Sequence, residues 1–440
     1  MNVPNSARAT RRRILRTPMC SLVLVAAVTA ASTLSAWGQA AGADLVLRNG
    51  KIVTVDSKDS IAQGVAVKNG RIVAVGDEAA LKAHIGSATR VVDLSGKTVV
   101  PGLYDAHSHL SYAGARSFQV DLNSPPIGRV SSIDQMITAL QAHRDKMPAG
   151  AWITGSGYDD TLIAEKRHPT RADLDRVSTT QPIYIQHVSG HLSVANSVAL
   201  AQAGVTAATP NPAGGVIRKD AQGQPNGVLE ETAAKLVEKV KPPLTPDQWQ
   251  ESIRIADRMY AAQGVTTANE GAITATGVAS LEKAGAEGRL QIRVMAWPMK
   301  EAMEGAGKLD LKSGKVKIGG VKEFADGSIQ GYTGYLSEHY HTPFHDDKTY
   351  RGFPRHEREV LVRRIGEIHA AGHQVIVHGN GDAAIDDILH ALDKAQQQHP
   401  RSDARPVIIH SQMMRDDQLD RLRRLGGIPS FFSLHTWYWG

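Results

Sequence analysis

The sequence predicts an α/β protein of the (β/α)8, TIM-type barrel class, in which about seven of the eight strands can be assigned. Seven short apolar runs alternate for the most part with helical patterns, which is typical of βα units around a parallel sheet. A β-rich segment precedes the first run, and a structured interruption separates the first run from the second. In such a barrel the active site lies at the carboxyl ends of the strands.

The first 40 residues contain the three parts of an export signal peptide. The basic stretch TRRRILR precedes an apolar run of residues 20–37, and the small-residue sequence GQAAGA follows. The adjacent Arg11 and Arg12 resemble the twin-arginine type of signal. We therefore expect a periplasmic or secreted protein, cleaved after Ala40 or Ala43, with no stable membrane anchor after cleavage. A membrane anchor is the alternative, but this run is short and contains Ser and Thr.

Charge and cysteine content limit the partners and the metal ligands that the protein can have. The formal net charge of +6 falls to +1 without the five arginines of residues 1–40, so no basic surface is predicted and we expect no nucleic-acid partner. Cys20 is the one cysteine of the sequence and lies in the expected signal. The mature chain would then form no disulfide and no cysteine-ligated metal site. Any metal ion must be held by histidine, carboxylate or modified lysine.

Residues 44–98 predict a small β-domain, because short β-branched runs are separated there by Asn-Gly pairs and other turn residues. Residues 99–440 predict the barrel, whose strands we place in the runs TVVPGLYDAH, VTTANE, LQIRVMAW, VKIGGVKEFADG, HQVIVHGNGD, PVIIHS and GIPSFFS. The interruption at about 115–245 has its own helix, strands and hairpin pattern. A segment of that length with its own structure indicates an inserted α+β lid region.

The stretch YDAHSHL, residues 104–110, ends the first apolar run. Alternate side chains of a strand point to one face, so a strand here would direct Asp105, His107 and His109 to one place. Histidine is a common metal ligand. A His-x-His pair also arises by chance in a chain with 18 histidines, so the stretch alone leaves both interpretations open.

Three later runs carry further candidate ligands. Lys322 lies in the fourth run, His378 ends the fifth and His410 ends the sixth. Because the carboxyl ends of barrel strands share one rim, these side chains are expected to meet His107 and His109. The convergence predicts a metal site.

These motifs resemble the amidohydrolase superfamily of metal-dependent hydrolases, and more narrowly its amidohydrolase-3 branch, with the YtcJ-like proteins and the N-substituted formamide deformylases. The resemblance covers the chain beyond the signal and rests on the ordered motifs NGKIVTVD, VVPGLYDAHSHL, FADGSIQG, VHGNGD, IIHSQM and PSFFSLHTWYWG. It implies a barrel beside a small composite β-sandwich. It also implies one or two divalent metal ions, with zinc as first choice, and hydrolysis of carbon–nitrogen bonds other than peptide bonds in a small amide-type substrate.

The resemblance also implies roles for single residues. His107 and His109 would bind the more buried ion, His378 and His410 a second ion, and a carbamylated Lys322 would bridge the two. A solvated lysine at a strand edge is the alternative for Lys322, and a core histidine is the alternative for His378 and for His410. In the family, a metal-activated hydroxide attacks the substrate, and an aspartate at the end of the eighth strand protonates the leaving group.

That aspartate cannot be assigned, because no eighth strand precedes Gly440. We expect it beyond residue 440, and we expect this chain to be a C-terminally truncated fragment with little or no activity, carrying an incomplete β-sandwich. Asp105 is expected to orient a ligand and not to replace the missing residue. The alternative function is a periplasmic, non-catalytic metal- or ligand-binding protein.

The remaining candidates concern the substrate. His191, in the inserted region, is a candidate substrate contact, with a packing role as the alternative. His435, Trp437 and Tyr438 follow the seventh run and would line the substrate pocket or pack in the core. For Glu270, at the end of the second run, a structural and a functional carboxylate remain equally open. A homodimer also remains open.

Overall fold

A computed structural model describes residues 42–305, 310–344 and 346–439. The chain divides into two compact units, Met1–Pro101 and Gly102–Gly440. The predicted signal peptide lies outside the described residues. Within the described ranges, no helix is both long enough and apolar enough to cross a membrane.

The first unit contains two small β-sheets with strand orders β5-β4-β1-β6 and β3-β2-β7. Its elements are β1 Leu45–Arg48, β2 Lys51–Val53, β3 Ile61–Ala62, β4 Gly64–Lys68, β5 Arg71–Gly76, α1 Glu78–Lys82, β6 Arg90–Asp93 and β7 Thr98–Val99. The β4–β5 hairpin turns at Asn69 and Gly70, whose φ angles of 50° and 70° suit a two-residue type I′ turn. The Asn-Gly pair that predicted a hairpin therefore forms one.

The second unit begins with β8 Leu103–Tyr104 and α2 Leu110–Ala115 and then enters the inserted region. That region is a six-stranded mixed sheet of order β13-β14-β12-β11-β10-β9. Its elements are β9 Val120–Asp121, α3 Ile133–Arg144, β10 Ile153–Tyr158, α4 Arg171–Asp175, β11 Ile183–His187, β12 Leu192–Ala195, α5 Ser197–Gln202, β13 Gly215–Lys219, β14 Pro225–Glu231 and α6 Ala234–Glu238. One face of α3 packs on this sheet in a buried apolar cluster, so the insertion has its own core.

The rest of the second unit alternates strands and helices. The elements are α7 Pro246–Ala262, β15 Val265–Ile273, α8 Ala275–Ala286, β16 Arg293–Pro298, α9 Lys300–Gly305, β17 Val316–Ile318, β18 Val321–Phe324, α10 Arg358–Ala370, β19 Val375–Gly379, α11 Asp382–Gln398, β20 Val407–His410, α12 Asp416–Arg424, β21 Ile428–Phe431 and α13 Leu434–Trp439. The strands form two parallel sheets, β17-β16-β15-β8 and β18-β19-β20-β21. The described residues thus have the strands and crossovers of a TIM-type α/β fold, without a closed barrel.

The fourth apolar run differs from its prediction as a single strand. It forms β17, which pairs with β16, and β18, which pairs with β19. Gly319 and Gly320 separate the two strands, and the chain passes very close to its neighbours there. A Cβ atom at Gly320 would lie 2.8 Å from the carbonyl oxygen of Gln374. The close approach requires glycine, and the glycine pair ends one strand pairing and starts the next.

The first apolar run also differs from its prediction. Only β8 is a strand, and it ends at Tyr104, before the two histidines. The sequence from Asp105 onward is irregular until α2 begins at Leu110, with His109 as its N-cap residue. The expectation that Asp105, His107 and His109 share one strand face is therefore wrong, although the two histidines still meet, as described next.

Candidate metal centre

Five candidate ligands lie together at the carboxyl ends of the strands. Lys322 lies in β18, His378 in β19 and His410 at the end of β20, and these adjacent strands are parallel. His107 and His109 follow β8 of the other sheet. All five line one cavity of about 340 Å³. Parallel pairing explains the placement of Lys322, His378 and His410, because it brings the carboxyl ends of neighbouring strands to one edge.

The four histidine rings lie close to one another. The ring centres of His107 and His109 are 5.3 Å apart, those of His107 and His410 are 5.1 Å apart, and those of His378 and His410 are 4.7 Å apart. Trp297 stacks on His107 at 5.9 Å with the planes almost parallel. This density of imidazole groups is the donor set that a divalent transition metal ion takes in proteins.

Two of the rings are oriented by backbone carbonyl groups. His109 Nδ1 lies 2.9 Å from the carbonyl oxygen of Gly271, and His378 Nε2 lies 2.9 Å from that of Gly327. A carbonyl oxygen can only accept, so each of these ring nitrogens must donate its hydrogen. The other nitrogen of each ring then keeps its lone pair, as a metal ligand requires.

The other two rings have nitrogen atoms with no partner. His107 Nε2 and His410 Nδ1 are shielded from solvent and make no hydrogen bond to any described residue. Such orphaned polar atoms are rare in folded proteins. His410 also has a left-handed φ of 72°, a strained conformation of the kind that collects at functional sites. A bound metal ion would satisfy both atoms, so these residues fit a metal centre.

The surroundings keep these rings neutral. Desolvation, followed by the charge of Lys322, lowers the pKa of His107 to about 2 and that of His109 to about 4. Burial also holds the pKa values of His378 and His410 well below the usual range. Metal binding requires neutral imidazole, and these rings meet that requirement at neutral pH.

Lys322 is a buried lysine, only 1% exposed. No carboxylate among the described residues forms an ion pair with it, although the charge of the adjacent Glu323 acts to raise its pKa. Its Nζ lies 5.0 Å from the centre of the Phe324 ring. Burial lowers the pKa of Lys322 to about 7, so a large fraction of the amine is neutral near physiological pH. A solvated lysine at a strand edge, the alternative weighed for this residue, is excluded by its burial.

Two acidic residues beside the histidines have supporting roles. The carboxylate of Asp105 accepts hydrogen bonds from the Ser108 hydroxyl and, at 3.3 Å, from the backbone N–H of Asn269. Glu270 is buried, and its Oε2 accepts the backbone N–H of Ser111 at 2.6 Å, in the first turn of α2. Burial raises the pKa of Glu270 to about 7. Both carboxyl groups fix the segment that carries the two histidines, which favours the structural interpretation of Glu270.

Asp326 was not singled out by sequence reasoning, although it lies within the motif FADGSIQG. The residue is buried, and its carboxylate accepts backbone N–H groups from Asn380 at 3.0 Å, Gly381 at 2.7 Å and Tyr335 at 3.0 Å. Burial raises its pKa to about 7. Asp326 thereby joins the segment after Lys322 to the segment after His378.

His191 extends from the inserted region into the same cavity. Its ring centre is 4.9 Å from that of His378, and its Nδ1 lies 2.9 and 3.0 Å from the two carboxylate oxygens of Glu231. Glu231 is buried, has a φ of 48°, and also accepts the hydroxyl of Thr333 at 2.8 Å. Sequence reasoning missed Glu231, because nothing in the local sequence distinguishes it from the adjacent Glu230.

The residues of α13 differ in their placement. His435 lines the cavity, with its ring centre 5.3 Å from that of His410 and 4.9 Å from that of Phe432. Trp437 is 78% exposed, so neither the predicted pocket role nor core packing describes it. The side chain of Tyr438 lies outside the described residues.

A second group of potential ligands, Asp159, Asp160 and His187, lies in the inserted region. His187 Nδ1 lies 3.2 Å from the backbone N–H of Ser189, which can only donate, so this nitrogen accepts. His187 Nε2 lies 3.1 Å from Asp160 Oδ1, but neither atom makes a hydrogen bond to a described residue. The group is therefore a second candidate for a metal ion, in the inserted region and separate from the five ligands above.

The sequence of this chain is similar to those of known proteins. A family model described as the amidohydrolase family matches residues 90–439. The YtcJ protein of Bacillus subtilis (strain 168) is 30% identical over 387 residues, covering 86% of this chain and 71% of that protein. The N-substituted formamide deformylase of Arthrobacter pascens is 30% identical over 400 residues, covering 87% and 71%.

A solved structure supports the same relationship. The crystal structure of an uncharacterized metal-dependent hydrolase from Pyrococcus horikoshii OT3 has a TM-score of 0.66 to this chain and 27% sequence identity, covering 88% of this chain and 74% of that one. The family model, the two relatives and the shared fold agree with one another. The chain belongs to the amidohydrolase family, in the branch that contains YtcJ and the N-substituted formamide deformylase.

Proposed function

We propose that this protein is a metal-dependent hydrolase of carbon–nitrogen bonds, other than peptide bonds, in small amide-type molecules. The observation that carries the proposal is the pair of orphaned nitrogen atoms on His107 and His410, in a cavity shared with His109, His378 and Lys322. Imidazole donors suit zinc, and the five residues offer enough donors for one or two divalent ions. The formamide deformylase among the relatives supports the carbon–nitrogen bond as the target.

When bound, a divalent metal ion lowers the pKa of a bound water molecule towards about 7 and polarises the substrate carbonyl group. The residues of the chain prepare the cavity for this chemistry. The carbonyl groups of Gly271 and Gly327 hold two ligand rings in orientation. Glu231 holds Nδ1 of His191, so that the Nε2 side of that ring is left for the substrate. His435 is the second proposed substrate contact, together with Tyr438.

We propose that Lys322 carries a carbamate that bridges two metal ions. A neutral amine can add carbon dioxide, with loss of a proton, whereas an ammonium group cannot. The burial of Lys322, without an ion pair to any described carboxylate, favours the neutral amine over the opposing effect of the adjacent Glu323. The carbamate would then supply the anionic oxygen ligands that the described cavity otherwise lacks.

The carbamate can be tested by loading the protein with ¹³C-bicarbonate and zinc. We expect one carbamate carbon signal in the ¹³C NMR spectrum, and we expect it to disappear in Lys322→Met. Lys315→Met is the matched control, because Lys315 is in the same part of the chain and bonds only a backbone carbonyl through its Nζ. A signal that survives in Lys322→Met, or metal loading that is indifferent to carbon dioxide depletion, would contradict the carbamate.

Glu231→Gln tests the orientation of His191. We expect kcat/KM for an amide substrate to fall roughly tenfold or more, because a hydrogen bond to a charged group carries about 1.5–3 kcal/mol. Metal content should stay unchanged, since Glu231 contacts no proposed ligand. Glu230→Gln is the control: Glu230 is also buried, but it pairs with Arg218. Equal losses in the two variants, or loss of metal from Glu231→Gln, would argue against this role.

The function itself is tested with N-substituted formamides, simple amides and cyclic amides. Turnover should require zinc, manganese or cobalt, should stop after chelation and should return on adding the metal back. Esters and phosphoesters are the comparison substrates, because a fold does not fix a reaction. Bound metal without turnover of any substrate would favour the alternative, a non-catalytic metal- or ligand-binding protein of the periplasm.

The proposed function comes with a proposed fold, location and partner. We propose that the two parallel sheets form an open (β/α)8-type barrel with seven strand positions, of which β17 and β18 share one. We also propose export to the periplasm or the medium, from the basic and apolar pattern of residues 1–40. A small amide-type molecule is the proposed partner, and size-exclusion chromatography with light scattering would distinguish a monomer from a homodimer.

A further inference from the structure

Arg116 is a cation in the cavity wall that no described carboxylate neutralises. It follows α2 directly, seven residues after His109, and it begins the short 3₁₀ turn Arg116–Phe118. Its guanidinium lies 5.5 Å from the centre of the Tyr112 ring. Its Nε is shielded from solvent and makes no hydrogen bond to a described residue. Arg116 is only partly buried, so the terminal nitrogens of its guanidinium are the ones that a ligand in the cavity can reach.

The position of Arg116 connects the metal centre with a second cavity. Arg116 lines the cavity of the five candidate ligands and also an adjoining cavity of about 460 Å³. The two cavities adjoin, because His109, Tyr112 and His191 line both of them. Arg116 thus stands where a molecule bound at the metal centre would reach towards the adjoining cavity.

The acidic residues of the adjoining cavity are already engaged. Glu231 is bound by His191 and lies 3.5 Å from Arg355, and Glu238 accepts the hydroxyl of Tyr184 at 3.0 Å. Glu270 accepts the backbone N–H of Ser111 in the first turn of α2. None of these three forms an ion pair with Arg116 in the part of the chain that the structure describes. The guanidinium is thus left for a ligand.

We propose that Arg116 binds a carboxylate group of the substrate, so that the amide cleaved at the metal centre carries an anionic arm. The inference rests on the proposed hydrolase function and names the substrate class within it. A guanidinium presents paired N–H donors that match a carboxylate.

The test compares N-acetylglycine with its neutral counterpart N-acetylglycinamide, which has the same scissile bond and nearly the same size. The metal-loaded protein should prefer the carboxylate compound, chiefly through a lower KM. In Arg116→Gln the ratio of the two kcat/KM values should fall roughly tenfold or more, and Arg116→Lys should lie between the two. Arg293→Gln is the control, because Arg293 is exposed at the start of β16. Melting temperature and metal content check that each variant is folded and loaded.

Binding separates this inference from the proposed function. Calorimetric titration of the metal-loaded protein with N-acetylglycine should give an affinity that falls roughly tenfold in Arg116→Gln. If no amide is hydrolysed but this Arg116-dependent binding is present, the hydrolase proposal fails and the carboxylate site stands. If N-acetylglycine binds both proteins equally, or the wild-type protein has no preference for the carboxylate compound, the carboxylate site is overturned whatever the activity.

Discussion

Replacing His109 or His378 with asparagine is expected to weaken metal binding by roughly 100-fold or more and to reduce the metal bound per chain. Changing a residue that only orients a ligand already costs about 10–100-fold in metal affinity, and these substitutions remove the proposed ligand itself. Both rings are held by a backbone carbonyl, so each is oriented before metal arrives. Elemental analysis of dialysed protein measures the metal, and steady-state kinetics measures kcat and KM.

His369→Asn is the matched control for this pair. His369 is buried, and its Nε2 lies 2.8 Å from the carbonyl oxygen of His399, so it has the same kind of bond outside the cavity. Its replacement should affect stability but leave the metal content unchanged. Metal loss in all three variants would indicate a general effect of removing a bonded histidine. Unchanged metal in His109→Asn and His378→Asn would remove both residues from the ligand set.

Asp326→Ala is expected to lower the free energy of unfolding by about 3 kcal/mol or more. The substitution leaves the backbone N–H groups of Asn380, Gly381 and Tyr335 without an acceptor, and each buried unsatisfied group costs about 1–3 kcal/mol. The loop after β19 should loosen, and with it the position of His378. Urea unfolding of the metal-free protein measures the loss, and metal titration measures the weaker binding.

Asp387→Ala is the comparison for Asp326→Ala. Asp387 is also buried, but its recorded partner is Arg358, whose side chain is 55% exposed and can return to water. We expect a loss of about 1 kcal/mol there, and no change in metal affinity. Similar losses in the two variants would mean that the three backbone bonds of Asp326 contribute little. Asp326→Asn should lie between, because an amide keeps one acceptor oxygen.

The sequence predicted the site best where a candidate ligand lies in or at the end of a short apolar run. His378, His410 and Lys322 each follow or lie within a short apolar run, and parallel pairing takes such ends to a common edge. The same reasoning placed His107 and His109 in the cavity, but it wrongly assigned them to a strand. Their segment is irregular after Tyr104, and the Asp105 carboxylate and Glu270 hold it in position.

Other features depend on partners that are distant in the sequence, and local patterns do not reveal them. Glu231 matters because strand pairing in the inserted region brings it to His191. Asp326 matters because three N–H groups point to it, two of them from the loop after β19. Arg116 is distinguished because none of the described carboxylates pairs with it, which only the folded chain displays. The division between β17 and β18 depends on how closely the chain at Gly320 passes the backbone of Gln374.

The division of the parallel strands into two sheets bears on what stabilises the second unit. His107 and His109 belong to the segment after β8 in one sheet, whereas His378 and His410 end strands of the other. Lys322 lies at the junction, where its backbone pairs with Met299. A metal ion held by ligands from both sheets would link the two sheets. The free energy of metal binding would then contribute to the association of the two sheets. Folding of this unit and metal binding would therefore be coupled.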